Sequence, residues 1–130
     1  MSFKNNFKPL ALALSLGAFS LGAQAAGEQY FPLQSYRIGP YAAGGTGFFG
    51  GFIDYLQYVN ANGGVHGAKI KHTVLDDGYK VDETVRLTRE ALVNPEVVAL
   101  FGFAGTANVS KLLTDGVLDV GGAPLVAPYT

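Results

Sequence analysis

The stretch KIKHTVLDDGYKVDETVRLTREALVNPEVVALFG, residues 69–102, decides the fold. Its opening, 69–75, alternates lysine or histidine with apolar and β-branched residues, the period-2 mark of a strand, and stops at Asp76-Asp77. Gly78-Tyr79 turns the chain. Over 81–93, Val81, Val85, Thr88 and Leu92 share one face while Asp82, Glu83, Arg86, Arg89 and Glu90 occupy others; this predicts a helix closed by Asn94-Pro95. Val97-Val98-Ala99-Leu100-Phe101 is an unbroken apolar run, as in strands covered on both faces of a parallel sheet.

The same alternation continues on either side. Upstream, a mixed segment over 28–34 leads into Ser35-Tyr36-Arg37-Ile38-Gly39, read as a short first strand ended by Pro40. Residues 41–47 hold three glycines and predict a loop whose backbone lets a ligand come close. Phe49, Phe52, Ile53, Leu56 and Val59 then recur at helical spacing, so a helix is expected over 48–61, stopped by Asn62-Gly63-Gly64 and followed by a tight turn over 65–68. Downstream, a second small-residue loop covers 103–108 and a third helix 109–118. Gly121-Gly122 breaks the chain before a fourth strand over 123–127. Strand and helix alternate throughout, which predicts an α/β fold: a parallel sheet with right-handed crossovers and helices on both faces, in three layers. An incomplete sheet of this kind leaves an open strand edge near 125–127.

The first 26 residues belong to a different category. Lys4 and Lys8 precede an almost wholly apolar run over 10–21, and Ala23-Gln24-Ala25 has the small-x-small pattern of a signal peptidase site. That run is shorter than the ~20 residues needed to cross a bilayer. The expected division is therefore a signal peptide, 1–26, and an incomplete domain, 27–130. Cleavage removes two lysines and no acid, taking Lys+Arg from 9 to 7 against 10 Asp+Glu, a net charge near −3 that argues against nucleic acid as a partner. There is no cysteine, which excludes disulfides, thiolate metal sites and a lipid-modified cysteine. No Arg-Arg pair precedes the apolar run, as expected of a chain exported unfolded and without a cofactor. The chain stops directly after an apolar run, which reads as a fragment.

Open parallel sheets bind ligands beyond the carboxyl ends of their strands. The expected strand ends carry 41–47, 76–79, 103–108 and Tyr129-Thr130. Gly105-Thr106, at the start of the third helix, offers free N–H groups and the positive end of the helix dipole to a carboxylate, with the Thr106 hydroxyl as a further donor. Thr106 or Asn108 serves equally well as a plain N-cap. Tyr41, Tyr79 and Tyr129 could wall the apolar part of a ligand, although packing explains any one of them alone. Gly45-Thr46-Gly47-Phe48-Phe49-Gly50 matches G-x-G-x-x-G, with Asp76 as a candidate ribose-binding acid; the acid lies 26 residues past the last glycine, and five residues, 40–44, intervene between strand and motif. His66 and His72 lack a carboxylate at metal-ligand spacing and read as surface residues, and the Asp76-Asp77 pair reads as a solvated loop end. No catalytic set is visible, so no enzyme activity, metal or cofactor is expected.

Taken in order, Asn60-Ala61-Asn62-Gly63-Gly64-Val65-His66-Gly67, Asp76-Asp77, the run over 97–102 and Ala123-Pro124-Leu125-Val126-Ala127-Pro128 resemble the amino-terminal lobe of the leucine/isoleucine/valine-binding family of periplasmic receptors. The N-x-x-G-G-x-x-G element followed by an acidic pair carries most of the likeness, which spans about 36–130. The resemblance implies a two-lobed protein that closes on an amino acid, amide or related small carboxylate and delivers it to the membrane permease of an ABC importer. It also implies ligand contacts at Ala104, Gly105 and Thr106, and at Tyr129 with Thr130. Around 39–50 and 101–106 this chain is richer in glycine and phenylalanine than the family pattern of serines. Two other readings stand beside transport: a ligand-sensing receptor domain on the same scaffold, and an exported dinucleotide-binding oxidoreductase.

Overall fold

The computed structural model describes residues 27–130. The expected signal peptide lies outside them. Strands β1 (Gln29–Ser35), β2 (Ile70–Asp76), β3 (Leu100–Phe101) and β4 (Leu125–Val126) form one parallel sheet in the order β2-β1-β3-β4. Helices α1 (Ala42–Ala61), α2 (Val81–Leu92) and α3 (Thr106–Thr114) connect them, with a 3-10 turn at Val117–Asp119 before β4. No helix among the described residues is long and apolar enough to cross a membrane.

The period-2 pattern of β1 sorts the two faces. Phe31 and Leu33 point toward α1, where Phe52 lies against Phe101 and Phe31 meets Phe101 edge-on at 5.6 Å. Gln34, on the opposite face, reaches Thr84 of α2. That second face holds the main core of Leu100, Phe103, Val109, Leu112 and Val117, with Val85, Leu92 and Leu125 packed around it. The expected three-layer α/β architecture is therefore present. Under α1 lies an apolar cleft of about 290 Å³ lined by Phe31, Leu33, Phe52, Leu56, Val65 and Ile70.

Several boundaries differ from the sequence expectation. The first strand is Gln29–Ser35, not 35–39. The segment read as mixed holds Pro32 in a central strand; the structure admits it because the pairing of β1 with β3 is sparse, with Leu33↔Phe101 and the isolated bridge Tyr30↔Val97 flanking the residue that cannot donate. Helix α1 begins at Ala42, so most of the predicted 41–47 loop is helical. Gly45 explains this: a Cβ there would sit 2.3 Å from the Tyr36 carbonyl oxygen, and only glycine lets the helix lie on that strand end. The apolar run over 97–101 contributes just Leu100–Phe101 to regular strand, and Val98 is 45% exposed. The fourth strand shortens to Leu125–Val126, and α3 starts at Thr106 instead of residue 109.

The Asn60–Gly67 element has a clear structural task. Gly63, Gly64 and Gly67 all have positive φ, and a Cβ on Gly64 would fall 1.9 Å from the Ala68 carbonyl oxygen. Val65 and Ala68 exchange two backbone hydrogen bonds of 2.9 Å. The chain thereby reverses within a few residues and enters β2 in register from Gln29↔Ile70 to Ser35↔Asp76.

Candidate ligand-binding edge

All four strand ends meet at one edge. The loops after β3 and β4 are joined by a parallel bridge, Ala104↔Tyr129, in which Gly105 N donates to Tyr129 O (2.9 Å) and Tyr129 N to Phe103 O (2.8 Å). Gly105 caps α3 with φ 102°, and no side chain caps that helix, so neither Thr106 nor Asn108 is the N-cap. Thr106 is the first residue of α3 and is exposed; Ala104 and Gly105 are buried beneath it. Thr130 is exposed beyond Tyr129.

Tyr79 links these loops to those after β1 and β2. A Cβ on Gly105 would lie 2.9 Å from the Tyr79 ring, so glycine there makes room for the ring to pack flush on the backbone. Tyr79 meets Tyr41 at 4.6 Å between centroids and Tyr36 at 5.1 Å. Tyr36 touches Phe49 at 5.2 Å, Phe49 touches Phe48 at 5.1 Å, and Phe48 stacks on Tyr129 at 5.6 Å. The three predicted tyrosines are thus brought into one chain of six rings. Tyr36, Phe48 and Phe49 were not singled out by sequence, because each sat inside a segment assigned to strand or helix packing. Burial raises the Tyr36 phenol above its ordinary pKa, with added contributions from Tyr79, Tyr129 and Asp77.

Asp77 is not the solvated loop end expected from sequence. It is 2% exposed, whereas Asp76 beside it is exposed. Asp77 Oδ2 accepts from Gln34 Nε2 and Thr84 Oγ1, and from Asn108 Nδ2 at 3.4 Å; Asn108 also donates to Thr84 Oγ1 at 2.7 Å. Its other oxygen accepts from Tyr79 N at 2.9 Å. Desolvation raises the Asp77 pKa against the opposing pull of these hydrogen bonds. The carboxyl thus ties β1, α2 and α3 to Tyr79, a non-glycine residue held at φ 62°. Left-handed backbone in a bulky aromatic residue is uncommon and marks a conformation imposed by its surroundings. Three buried polar atoms near this edge have no protein partner: Gln34 Oε1, Ser35 Oγ and Asn108 Oδ1.

The glycine motif over 45–50 does not form a phosphate loop. All of it lies inside α1, and Gly45 packs on Tyr36 instead of opening the helix toward a ligand. Among the described residues no group of three or more His, Asp or Glu is placed to hold a metal ion.

A family model described as periplasmic binding protein matches residues 30–129, nearly all of the described chain. The chain belongs to the periplasmic binding protein family. Solved periplasmic binding proteins share its fold. A substrate-binding periplasmic protein from Ralstonia solanacearum is 34% identical with a TM-score of 0.73, covering 78% of this chain and 29% of that one. A fatty acid ABC transporter substrate-binding protein from Thermomonospora curvata is 26% identical with a TM-score of 0.66, over 75% of this chain and 25% of that one. A branched-chain amino acid transporter substrate-binding protein from Streptococcus pneumoniae, in complex with isoleucine, shares the fold at 22% identity and a TM-score of 0.68, over 75% of this chain and 28% of that one. The chain therefore spans less than a third of the length of these relatives. No curated protein matches the chain.

Proposed function

We propose that this chain forms the first part of the amino-terminal lobe of an ABC-importer substrate-binding component, and that its carboxyl edge captures a branched-chain amino acid or a related small amide or carboxylate in the periplasm. In this reading residues 1–26 direct export, a second lobe closes over the ligand, and the membrane permease recognises the closed form. The loop of Ala104, Gly105 and Thr106 seats the carboxylate at the open N–H groups of the first turn of α3 and the Thr106 hydroxyl, Tyr129 and Thr130 contribute from the neighbouring loop, and Tyr41 and Tyr79 wall the apolar portion. The protein binds and releases its ligand without chemistry.

One observation carries the proposal: the Ala104↔Tyr129 bridge sets the loops after β3 and β4 side by side at the start of α3, with Tyr79 packed against Gly105 between them. A small molecule at that point meets helix N–H groups, a hydroxyl and aromatic rings together.

A thermal-shift screen of the full mature protein against amino acids, short amides, aromatic carboxylates and NAD tests it. Ligand at ~100 times its dissociation constant adds about 2.7 kcal/mol, a shift of several degrees. A shift with one amino acid, amide or carboxylate is expected. A shift with NAD alone refutes the transport reading.

A further inference from the structure

The exposed aromatic surface at the carboxyl edge says more about the ligand than its size. Tyr41, Phe48 and Tyr129 are 57%, 52% and 66% exposed, yet each is fastened to the same run of rings through Tyr79, Tyr36 and Phe49. Large apolar side chains scattered singly need no explanation, but exposed rings in contact within one aromatic run at the carboxyl edge do. The backing rings fix the exposed ones, so contact with a ligand costs little side-chain ordering.

The polar inventory points the same way. The loops of this edge contain two acids. Asp77 is buried with both oxygens bonded, and Asp76 Oδ1 already accepts from Arg37 N at 3.0 Å and Gly78 N at 3.1 Å. Arg37 and Lys80 flank them as exposed cations. The edge is therefore rich in rings and carries two exposed cations, and its one exposed acid among the described residues, Asp76, is already engaged by two backbone N–H groups.

We infer that the ligand is a planar aromatic carboxylate, its ring lying on Tyr41, Phe48 and Tyr129; this rests on the small-carboxylate reading above and narrows it. Aromatic pairs gain energy beyond their buried area through the ring quadrupole, which a saturated ring of equal bulk cannot share.

Calorimetric titration of the full mature protein with phenylacetate, cyclohexylacetate and L-leucine separates the possibilities. Phenylacetate is expected to bind roughly two- to tenfold more tightly than cyclohexylacetate. Tyr41→Leu combined with Phe48→Leu, both at exposed positions, should erase that preference while leaving the circular dichroism spectrum unchanged. Equal affinity for the two acids, survival of the preference in the double variant, or tighter binding of L-leucine would each overturn the aromatic assignment and leave the small-carboxylate reading standing. Binding of none of the three overturns the assignment as well; if the wider amino acid and amide screen is also silent, the parent reading falls with it.

Discussion

The side-chain amide of Asn60 closes two hydrogen bonds on the main chain of Ile70: Nδ2 donates to Ile70 O at 2.7 Å and Oδ1 accepts from Ile70 N at 2.7 Å. β2 is the outer strand of the sheet on that side, so these main-chain groups have no neighbouring strand to pair with. One side chain near the end of α1 thus substitutes for a strand partner and fixes where β2 begins. Asn60→Ala leaves both half-buried groups to water or to nothing. The expected loss is about 2 kcal/mol, read as a lower urea midpoint with an unchanged slope.

Glycines in α1 should divide by what lies beside them. Gly45→Ala drives a methyl group into the Tyr36 carbonyl and ring and should destabilise strongly, by about 3 kcal/mol or more. Gly47→Ala and Gly51→Ala meet nothing within 4 Å in helix interior, and each should stabilise by about 0.5–1 kcal/mol. Thermal melts of the three single variants check the opposite signs.

Tyr79 offers a test of backbone strain that does not depend on any ligand. Tyr79→Ala and Tyr79→Gly both remove the ring and its contacts with Tyr36 and Tyr41. Only the glycine variant tolerates φ 62° freely. The glycine variant should therefore be the more stable of the two by about 1 kcal/mol, the reverse of their order in ordinary helix or strand, as measured by denaturant unfolding.

Asp77 predicts a particular pH dependence. Its folded pKa lies above the ordinary aspartate value of 3.8, chiefly through desolvation, so the native state binds the proton more tightly than the unfolded chain does. The contribution of this group favours folding fully below pH 3.8 and is lost as pH rises through the raised folded value. Asp77→Asn should flatten the stability profile across that window. It should do so at a cost below about 2 kcal/mol, because the Gln34 amide can turn its unpartnered Oε1 toward the introduced N–H group. Chemical unfolding of both proteins from pH 3 to 7 gives the comparison; equal slopes would rule Asp77 out as the source.

What was legible in the sequence follows from how local each signal is. β2 and α2 announce themselves by alternation over 69–75 and by the face of Val81, Val85, Thr88 and Leu92, and the structure puts them at Ile70–Asp76 and Val81–Leu92. β1 is displaced because 28–34 mixes polar and apolar residues without a clear period while 35–39 alternates, and the structure accommodates Pro32 in the true strand through the thin pairing with β3. The start of α1 was hidden in a glycine-rich run that is helical because of one contact, Gly45 on Tyr36, made across the fold. The Asp77 cluster was the least visible: Gln34, Thr84 and Asn108 lie 43, 7 and 31 residues away along the chain. Its trace was a glutamine embedded in the apolar end of β1 and two threonines, Thr84 and Thr88, on the inward face of α2, both 1% exposed. At the candidate edge, Tyr41, Tyr79 and Tyr129 were named singly, but their junction through Tyr36, Phe49 and Phe48 needed the fold.

Pro32 has one more effect on the molecule. β1 is laced to β2 along its whole length and β3 is laced to β4, while between the two pairs the ladder is interrupted beside a residue with no N–H to give. The sheet is in effect two ribbons stitched at a few points, and the seam between them runs out to the carboxyl edge. Tyr41 and Tyr79 stand on one ribbon's loops; Ala104, Gly105 and Tyr129 stand on the other's. The mouth that meets a small molecule therefore straddles the seam between β1 and β3, with each lip carried by its own pair of strands.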